Sequence, residues 1–284
     1  MSEKIKVFRD ERRKRQYKCQ NLITVQRSDR IFQALNLPKV LNLNPRSIYN
    51  KLEEFVTFVQ EEEVDLICMS ESFEREELTL NEVIKLDDHV IISNVHQRNG
   101  VGGRPAIIAN TKKYNVENLT QSTVPIPWGV EAVWAVLTPR NVTNASKVQK
   151  IVVWSLYSKP DSRKKSLLHD HISQVYNQLC SNYTKGLHWI IFCDTNDLKL
   201  DPILHLNKNL KQVVQDSTRL YLPRMLDPIL TTLSNYYQKP KCLPPLDADP
   251  FSNGKPSDHL MVIMEPVSVI DNLLARTKKE TILL

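Results

Sequence analysis

Leu187-His188-Trp189-Ile190-Ile191-Phe192-Cys193 runs without a break into Asp194-Thr195-Asn196. A near-continuous apolar run of this length suits a strand covered on both faces. Three more runs have the same form. Val64-Asp65-Leu66-Ile67-Cys68-Met69-Ser70 meets Glu71, and Val40-Leu41 leads into Asn42-Leu43-Asn44. Ser257-Asp258-His259 stands directly before Leu260-Met261-Val262-Ile263-Met264. Laid side by side, such strands bring Asn42, Glu71, Asp194, Asn196, Asp258 and His259 to one sheet edge. Ionised carboxylates are seldom buried unless they are paired or bind metal, and histidine moves protons near neutral pH. Oxygen donors with a single imidazole favour Mg²⁺ or Mn²⁺ over zinc, which points to metal-assisted attack on a phosphate ester. The plainer alternatives are capping by Asp258-His259 and a turn closed by Asn42.

Composition sets the frame. The chain has 284 residues, 41% hydrophobic and 25% charged, as in ordinary globular proteins. It has no apolar stretch of the roughly 20 residues that span a membrane, and no signal-peptide core, so an intracellular protein is expected. Five cysteines with no CxxC indicate neither a zinc site nor a disulfide framework. The net charge of +6 resides in residues 1–30, which carry ten Lys/Arg against four acids. Such a leader either solvates itself or neutralises nucleic-acid phosphates.

Strand and helix patterns alternate from residue 38 onward. Ser47 is read as the cap of a helix to about Glu63, with Ile48, Leu52, Phe55, Val56 and Val59 on one face. Further strands are expected at Val90–Ser93, Arg104–Asn110, Val130–Leu137, Lys150–Tyr157 and Leu226–Leu233. Gly100-Val101-Gly102-Gly103 reads as a hairpin turn, since it lacks the Lys of a phosphate loop. A helix opens at Asp161 or Ser162 and runs to about Asn182; its His169 and His171 point to different faces and read as surface residues. Residues 238–256 read as a long loop, functional or mobile.

These pieces, in this order, resemble the endonuclease/exonuclease/phosphatase superfamily, with the deoxyribonuclease I-like fold. Leu41-Asn42-Leu43-Asn44 is similar to its first motif, Met69-Ser70-Glu71-Ser72 to its Q-E-T, and Tyr157 to its phosphate-contacting strand-end tyrosine. Cys193-Asp194-Thr195-Asn196 resembles G-D-x-N, Leu226-Asp227-Pro228-Ile229-Leu230-Thr231 its histidine-orienting strand, and Ser257-Asp258-His259 closes the set. The resemblance covers about residues 38–265. It implies an α/β fold of two packed mixed or mainly antiparallel sheets flanked by helices, a four-layer α/β/β/α sandwich. The domain is expected over residues 38–268, after a partly disordered leader (1–37) and before a C-terminal tail (269–284).

The form Asn44-x-Arg46-Ser47-x-x-Asn50-Lys51, together with Asp216-Ser217-Thr218-Arg219, is similar to endonuclease domains of non-LTR retrotransposons. That implies a Mg²⁺-dependent endonuclease (Mn²⁺ serving as well) that nicks DNA to leave 3′-OH and 5′-phosphate ends. Glu71, with Asn42 and Asp258, would hold the metal; Asp194 and Asn196 would handle the attacking water. His259, oriented by Asp227, would bind the phosphate beside Tyr157. DNA is the implied partner, the nucleus the implied location, and a monomer the implied state. With no polymerase after residue 284, the chain reads as a detached, truncated or domesticated endonuclease portion. Three departures carry expectations, the mildest being Ser72 where Thr is common after the Glu. Cys193 in place of Gly crowds the turn before Asp194, and Pro228 removes a ladder hydrogen bond. Other readings are a phosphoesterase of different substrate within the superfamily, or a nucleic-acid-binding module with a spoiled site.

Overall fold

The computed structural model describes residues 36–93, 103–120, 124–140, 150–159, 165–183, 187–196, 198–221, 223–246 and 257–267. The basic leader, Gly100 to Gly102, residues 247–256 of the long loop and the tail lie outside the described residues. One compact unit spans Leu37–Pro266. Its first half runs β1 (Val40–Leu43), α1 (Leu52–Glu61), β2 (Leu66–Met69), α2 (Leu80–Val83), β3 (His89–Ser93), β4 (Ala106–Asn110), β5 (Tyr114–Asn118) and β6 (Glu131–Pro139). The second half runs β7 (Lys150–Tyr157), α3 (Lys165–Asn182), β8 (Leu187–Asp194), α4 (Asp201–Leu204), β9 (Lys211–Gln212), β10 (Ile229–Thr231), β11 (Lys241–Leu243) and β12 (Met261–Met264).

The strands form two six-stranded sheets, ordered β11-β12-β1-β2-β4-β3 and β5-β6-β7-β8-β10-β9. Each sheet has one parallel pair at its centre, β1 with β2 and β7 with β8; the other pairings among the described residues are antiparallel. Period-two alternation on these strands makes three cores. Val40, Leu66, Cys68 and Val262 of one sheet meet Val133, Val153, Ile190 and Phe192 of the other in the central layer. Leu41, Leu43, Ile67 and Met69 turn outward onto Phe55 and Val59 of α1. Trp134, Trp154, Trp189, Ile191 and Cys193 turn outward onto Leu168, Ile172, Val175 and Leu179 of α3. This is the four-layer α/β/β/α arrangement, and double-sided burial is why its central strands read as continuous apolar runs.

Parallel neighbours need a crossover, and α1 and α3 supply one for each pair. The consequence for the site is geometric. The C-terminal ends of β1, β2, β7 and β8 carry Asn44, Glu71, Tyr157 and Asp194, while antiparallel β12 and β10 begin beside them, just after His259 and Asp227. All six side chains therefore stand at one mouth between two sheets, not at the edge of a single sheet.

Several local readings are corrected. The first helix starts at Leu52, not Ser47, because Arg46 and Ser47 take left-handed backbone angles (φ 49° and 81°). The Ser47 and Ile48 N–H groups donate instead to the Glu71 and Ser72 carbonyls. β5 escaped notice because Asn115, Glu117 and Asn118 are exposed on an edge strand. β11 emerges within the Pro-rich loop as another edge. Cys193 does not crowd the site: its side chain packs in the outer core beneath α3. Pro228 lies before the first β10 ladder pair, and its carbonyl accepts from the Cys193 N–H at 3.3 Å.

His171 is not a surface residue. It is 1% exposed, its ring lies 4.8 Å from that of Trp134, and neither ring nitrogen has a hydrogen-bond partner among the described residues. Burial pushes its pKa down to about 4. A histidine whose folded pKa lies below its ordinary value contributes stability above about pH 6.5 and loses it as pH falls towards 4. His171→Leu, close in volume, is expected to remove up to about 2 kcal/mol of the destabilisation between pH 7.5 and 5. Thermal unfolding of both proteins at the two pH values checks this; equal acid sensitivity contradicts it.

Candidate active site at the mouth between the sheets

Asp194 is the centre of the arrangement. It ends β8 at 1% exposure, opposite Tyr157 in the parallel register. The Asn44 amide donates to its Oδ2 at 2.7 Å, and the Asn196 N–H reaches Oδ1 at 3.3 Å. Asn196 takes φ 46°, a left-handed angle that Asn tolerates better than most residues, and its amide donates to the Ser158 carbonyl at 2.8 Å. Burial raises the Asp194 pKa well above the carboxylate range, with the charges of Asp227 and Glu71 adding to it and His259 opposing.

Beside Asp194 lies a second group, a hydrogen-bonded pair. His259 Nδ1 hydrogen-bonds Asp227 Oδ2 at 2.8 Å, both residues being buried. Burial alone would lower the histidine pKa. The Asp227 hydrogen bond and charge, with the charges of Asp194 and Asp258, outweigh it and raise the pKa to about 9. With Nδ1 committed, Nε2 is the ring atom left for a ligand. The pair is held from several sides. Thr218 Oγ1 accepts from the N–H groups of Leu226 and Asp227, at 2.9 and 3.1 Å. Leu260 N–H donates to the Thr218 carbonyl, and Ser257 Oγ bridges the Asn44 carbonyl and the His259 N–H.

Glu71, beyond the end of β2, completes the floor. Its pKa is raised by burial, against opposing contributions from hydrogen bonds with Tyr157 and Asn44 and the charges of His259 and Arg46. Tyr157 stays protonated: burial, then the charges of Glu71 and Asp194, push its phenol up.

Glu71, Tyr157, Asp194, Asn196, Asp227 and His259 of the sequence reading thus gather at one place. Two others stand apart from that cluster. The Asn42 amide turns to the backbone carbonyl of Asp227 at 3.4 Å, and it is Asn44, two residues on along the same strand face, that reaches Asp194 and Glu71. Asp258 is engaged by Arg219, whose Nε and Nη2 lie 2.8 and 2.6 Å from Oδ2. Asn44 and Thr218 were quoted in motifs without a role; strand parity, which puts Asn42 and Asn44 on one face, was the signal for the first.

The site carries surplus buried negative charge. Glu71, Asp194 and Asp227 face one imidazolium, and the raised pKa values of Asp194 and Glu71 show the strain. Donor atoms of Asp194, Asp227 and His259 lie within 4.8 Å of one another, close enough to share an ion. Because Asp227 and His259 Nδ1 already bond each other, Glu71 and Asp194 are the better oxygen donors, with the Asn44 amide oxygen, which also accepts the Arg46 N–H at 3.1 Å, offering its second lone pair. A hard divalent cation fits this set in charge and chemistry.

No protein-family model matches the chain, and neither does any curated protein sequence. Solved structures do. The endonuclease domain of TRAS1, a telomere-specific non-LTR retrotransposon, superposes with TM-score 0.56 at 13% identity, covering 82% of this chain and 99% of that one. The 3′ phosphatase NExo from Neisseria, bound to a product DNA hairpin, gives 0.56 at 12%, covering 82% and 100%. An endonuclease/exonuclease/phosphatase from Bacteroides vulgatus gives 0.54 at 13%, covering 81% and 98%. The chain has the fold of the endonuclease/exonuclease/phosphatase superfamily.

A histidine with folded pKa about 9 contributes pairing stability fully below about pH 6.5 and loses it as pH rises through 9. His259→Gln is expected to lower stability by roughly 3 kcal/mol at pH 6 and by less than half of that at pH 9.5. Chemical unfolding at both pH values measures it, and a pH-independent difference contradicts the pairing.

Proposed function

We propose that this chain is a divalent-metal-dependent DNA endonuclease that nicks one strand and leaves 3′-OH and 5′-phosphate ends. The observation that carries the proposal is the buried Asp227–His259 pair at 2.8 Å, set beside Asp194 with Glu71 and Tyr157 at the same mouth. A 3′ phosphatase of this fold bound to product DNA, and a retrotransposon endonuclease domain of the same fold, support DNA as substrate. The Asn44-to-Lys51 and Asp216-to-Arg219 motifs support descent from a non-LTR retrotransposon, and a nuclear location is part of the same proposal.

Glu71 and Asn44 are assigned to hold Mg²⁺ or Mn²⁺, with Asp194 beside them. A bound ion supplies charge neutralisation at the scissile phosphate and Lewis acidity. Asp194 in its ionised form, made more basic by burial, accepts a proton from the attacking water, and Asn196 fixes the turn that aims it. The water oxygen bonds to phosphorus as the P–O3′ bond breaks, and the departing O3′ takes up a proton from solvent. His259 is protonated at pH 7, and its Nε2–H donates to a non-bridging phosphate oxygen where charge grows. The Tyr157 hydroxyl, which donates to Glu71 in the free site, would turn its one O–H to the same phosphate.

Supercoiled plasmid with purified protein and Mg²⁺ tests this. Metal-dependent conversion to open circle is expected, with Asp194→Ala and His259→Ala each lowering the rate by at least about 100-fold. A folded protein that binds DNA but never nicks it refutes the proposal. So does a protein that instead hydrolyses sugar or inositol phosphate esters with high efficiency.

A further inference from the structure

We infer that Asp258 holds Arg46 and Arg219 as a two-guanidinium clamp for the DNA phosphate next to the one being cut, an inference that rests on the endonuclease reading above. Arg219 places Nε and Nη2 on Asp258 Oδ2 at 2.8 and 2.6 Å. The other carboxylate oxygen faces Arg46 Nη1 at 3.9 Å and His259 Nε2 at 4.0 Å. One carboxylate therefore sits among two guanidiniums and the imidazole edge that faces substrate. Two fixed positive charges against one negative leave the rim cationic while the floor carries the carboxylates.

The arginines have donors to spare. A guanidinium offers five N–H groups, and Asp258 takes two from Arg219. The Arg46 side chain is 52% exposed and that of Arg219 28%, so their remaining donors face solvent at the rim. Planar forks of this kind match phosphate oxygens.

Both arginines are also fixed at the backbone. Arg46, at φ 49°, donates its N–H to the Asn44 side-chain oxygen at 3.1 Å, and Ser47, at φ 81°, donates to the Glu71 carbonyl. Two consecutive non-glycine residues in the left-handed region persist only where the surroundings over-determine them. Here the same residues that build the metal floor, Asn44 through its side-chain oxygen and Glu71 through its backbone carbonyl, set the direction of Arg46. Arg219 forms a bridge with His259, and Leu220 N–H donates to the Asp258 carbonyl at 2.9 Å. Tyr221, two residues from Arg219, is 83% exposed and offers a ring on which a base can stack. Asp258 is thus a positioning residue, because cationic N–H groups compete with any metal for its oxygens.

The test uses the full chain and a labelled duplex oligonucleotide, with affinity measured in EDTA between 50 and 200 mM salt. Arg46→Ala and Arg219→Ala are each expected to lower the slope of log K against log [salt] by about one. Arg219→Lys keeps the charge and the slope but loses the fork, so the loss falls on KM in plasmid nicking. Asp258→Asn is expected to raise KM about tenfold, with the Mg²⁺ concentration for half-maximal nicking shifting less than twofold. Unchanged salt slopes in both alanine variants overturn the clamp. A tenfold or greater rise in the Mg²⁺ requirement of Asp258→Asn makes Asp258 a metal ligand and overturns it too. Wild-type protein that binds DNA yet never nicks it refutes the endonuclease reading, while the slopes still decide the clamp. Protein that does not bind DNA refutes both.

Discussion

Everything at this site follows from placing three carboxylates, Glu71, Asp194 and Asp227, in or near a buried mouth where His259, with Arg46 at the rim, offsets only part of their charge. Buried charge is expensive unless compensated. The protein compensates part of it with the Asp227–His259 pair and with amide and phenol donors from Asn44 and Tyr157. The rest is left standing, as raised pKa values on Asp194 and Glu71. An apolar floor would be more stable. Retaining this one fits the proposed reaction, in which the site would meet a cation and a phosphate and the unmet negative charge would set the affinity for the ion.

Two sheets are needed to build it. Asn44 and Glu71 come from one parallel pair, Tyr157 and Asp194 from the other, and each pair has a helix crossing over its outer face. The central layer, packed with Val, Ile, Leu and Phe, keeps the two strand ends at a fixed separation. Ser155, whose hydroxyl donates to the Met69 carbonyl at 3.1 Å, ties the sheets together just short of the mouth. Asp227 and His259 enter from antiparallel neighbours, so the orienting pair is anchored in the same frame. The site is therefore rigid where geometry matters for chemistry.

Much of this was legible in the sequence because buried strands announce themselves. The runs ending in Glu71 and Asp194 and the run starting after His259 are continuous in apolar residues, and their polar ends mark the mouth. What escaped was set by long-range contacts. Nothing local distinguishes Asn42 from Asn44, since both lie on one strand face, and only the position of Asp194 across the mouth decides which amide is used. The early helix start at Ser47 failed because a tertiary hydrogen bond to Glu71 overrides capping propensity. His171 looked like a surface residue from its spacing to His169, yet α3 turns it onto Trp134. Asp258, read as a ligand from its place beside His259, is claimed by Arg219, some forty residues earlier in the chain.

The most direct test of the central claim, surplus buried negative charge awaiting a cation, is calorimetric titration of the DNA-free protein with Mn²⁺ in buffers of differing ionisation enthalpy. The account requires saturable binding that tightens as pH rises and releases protons, drawn from Asp194 or Glu71, whose pKa values burial raises. Absence of saturable binding, or an affinity that does not change with pH and releases no proton, would contradict it.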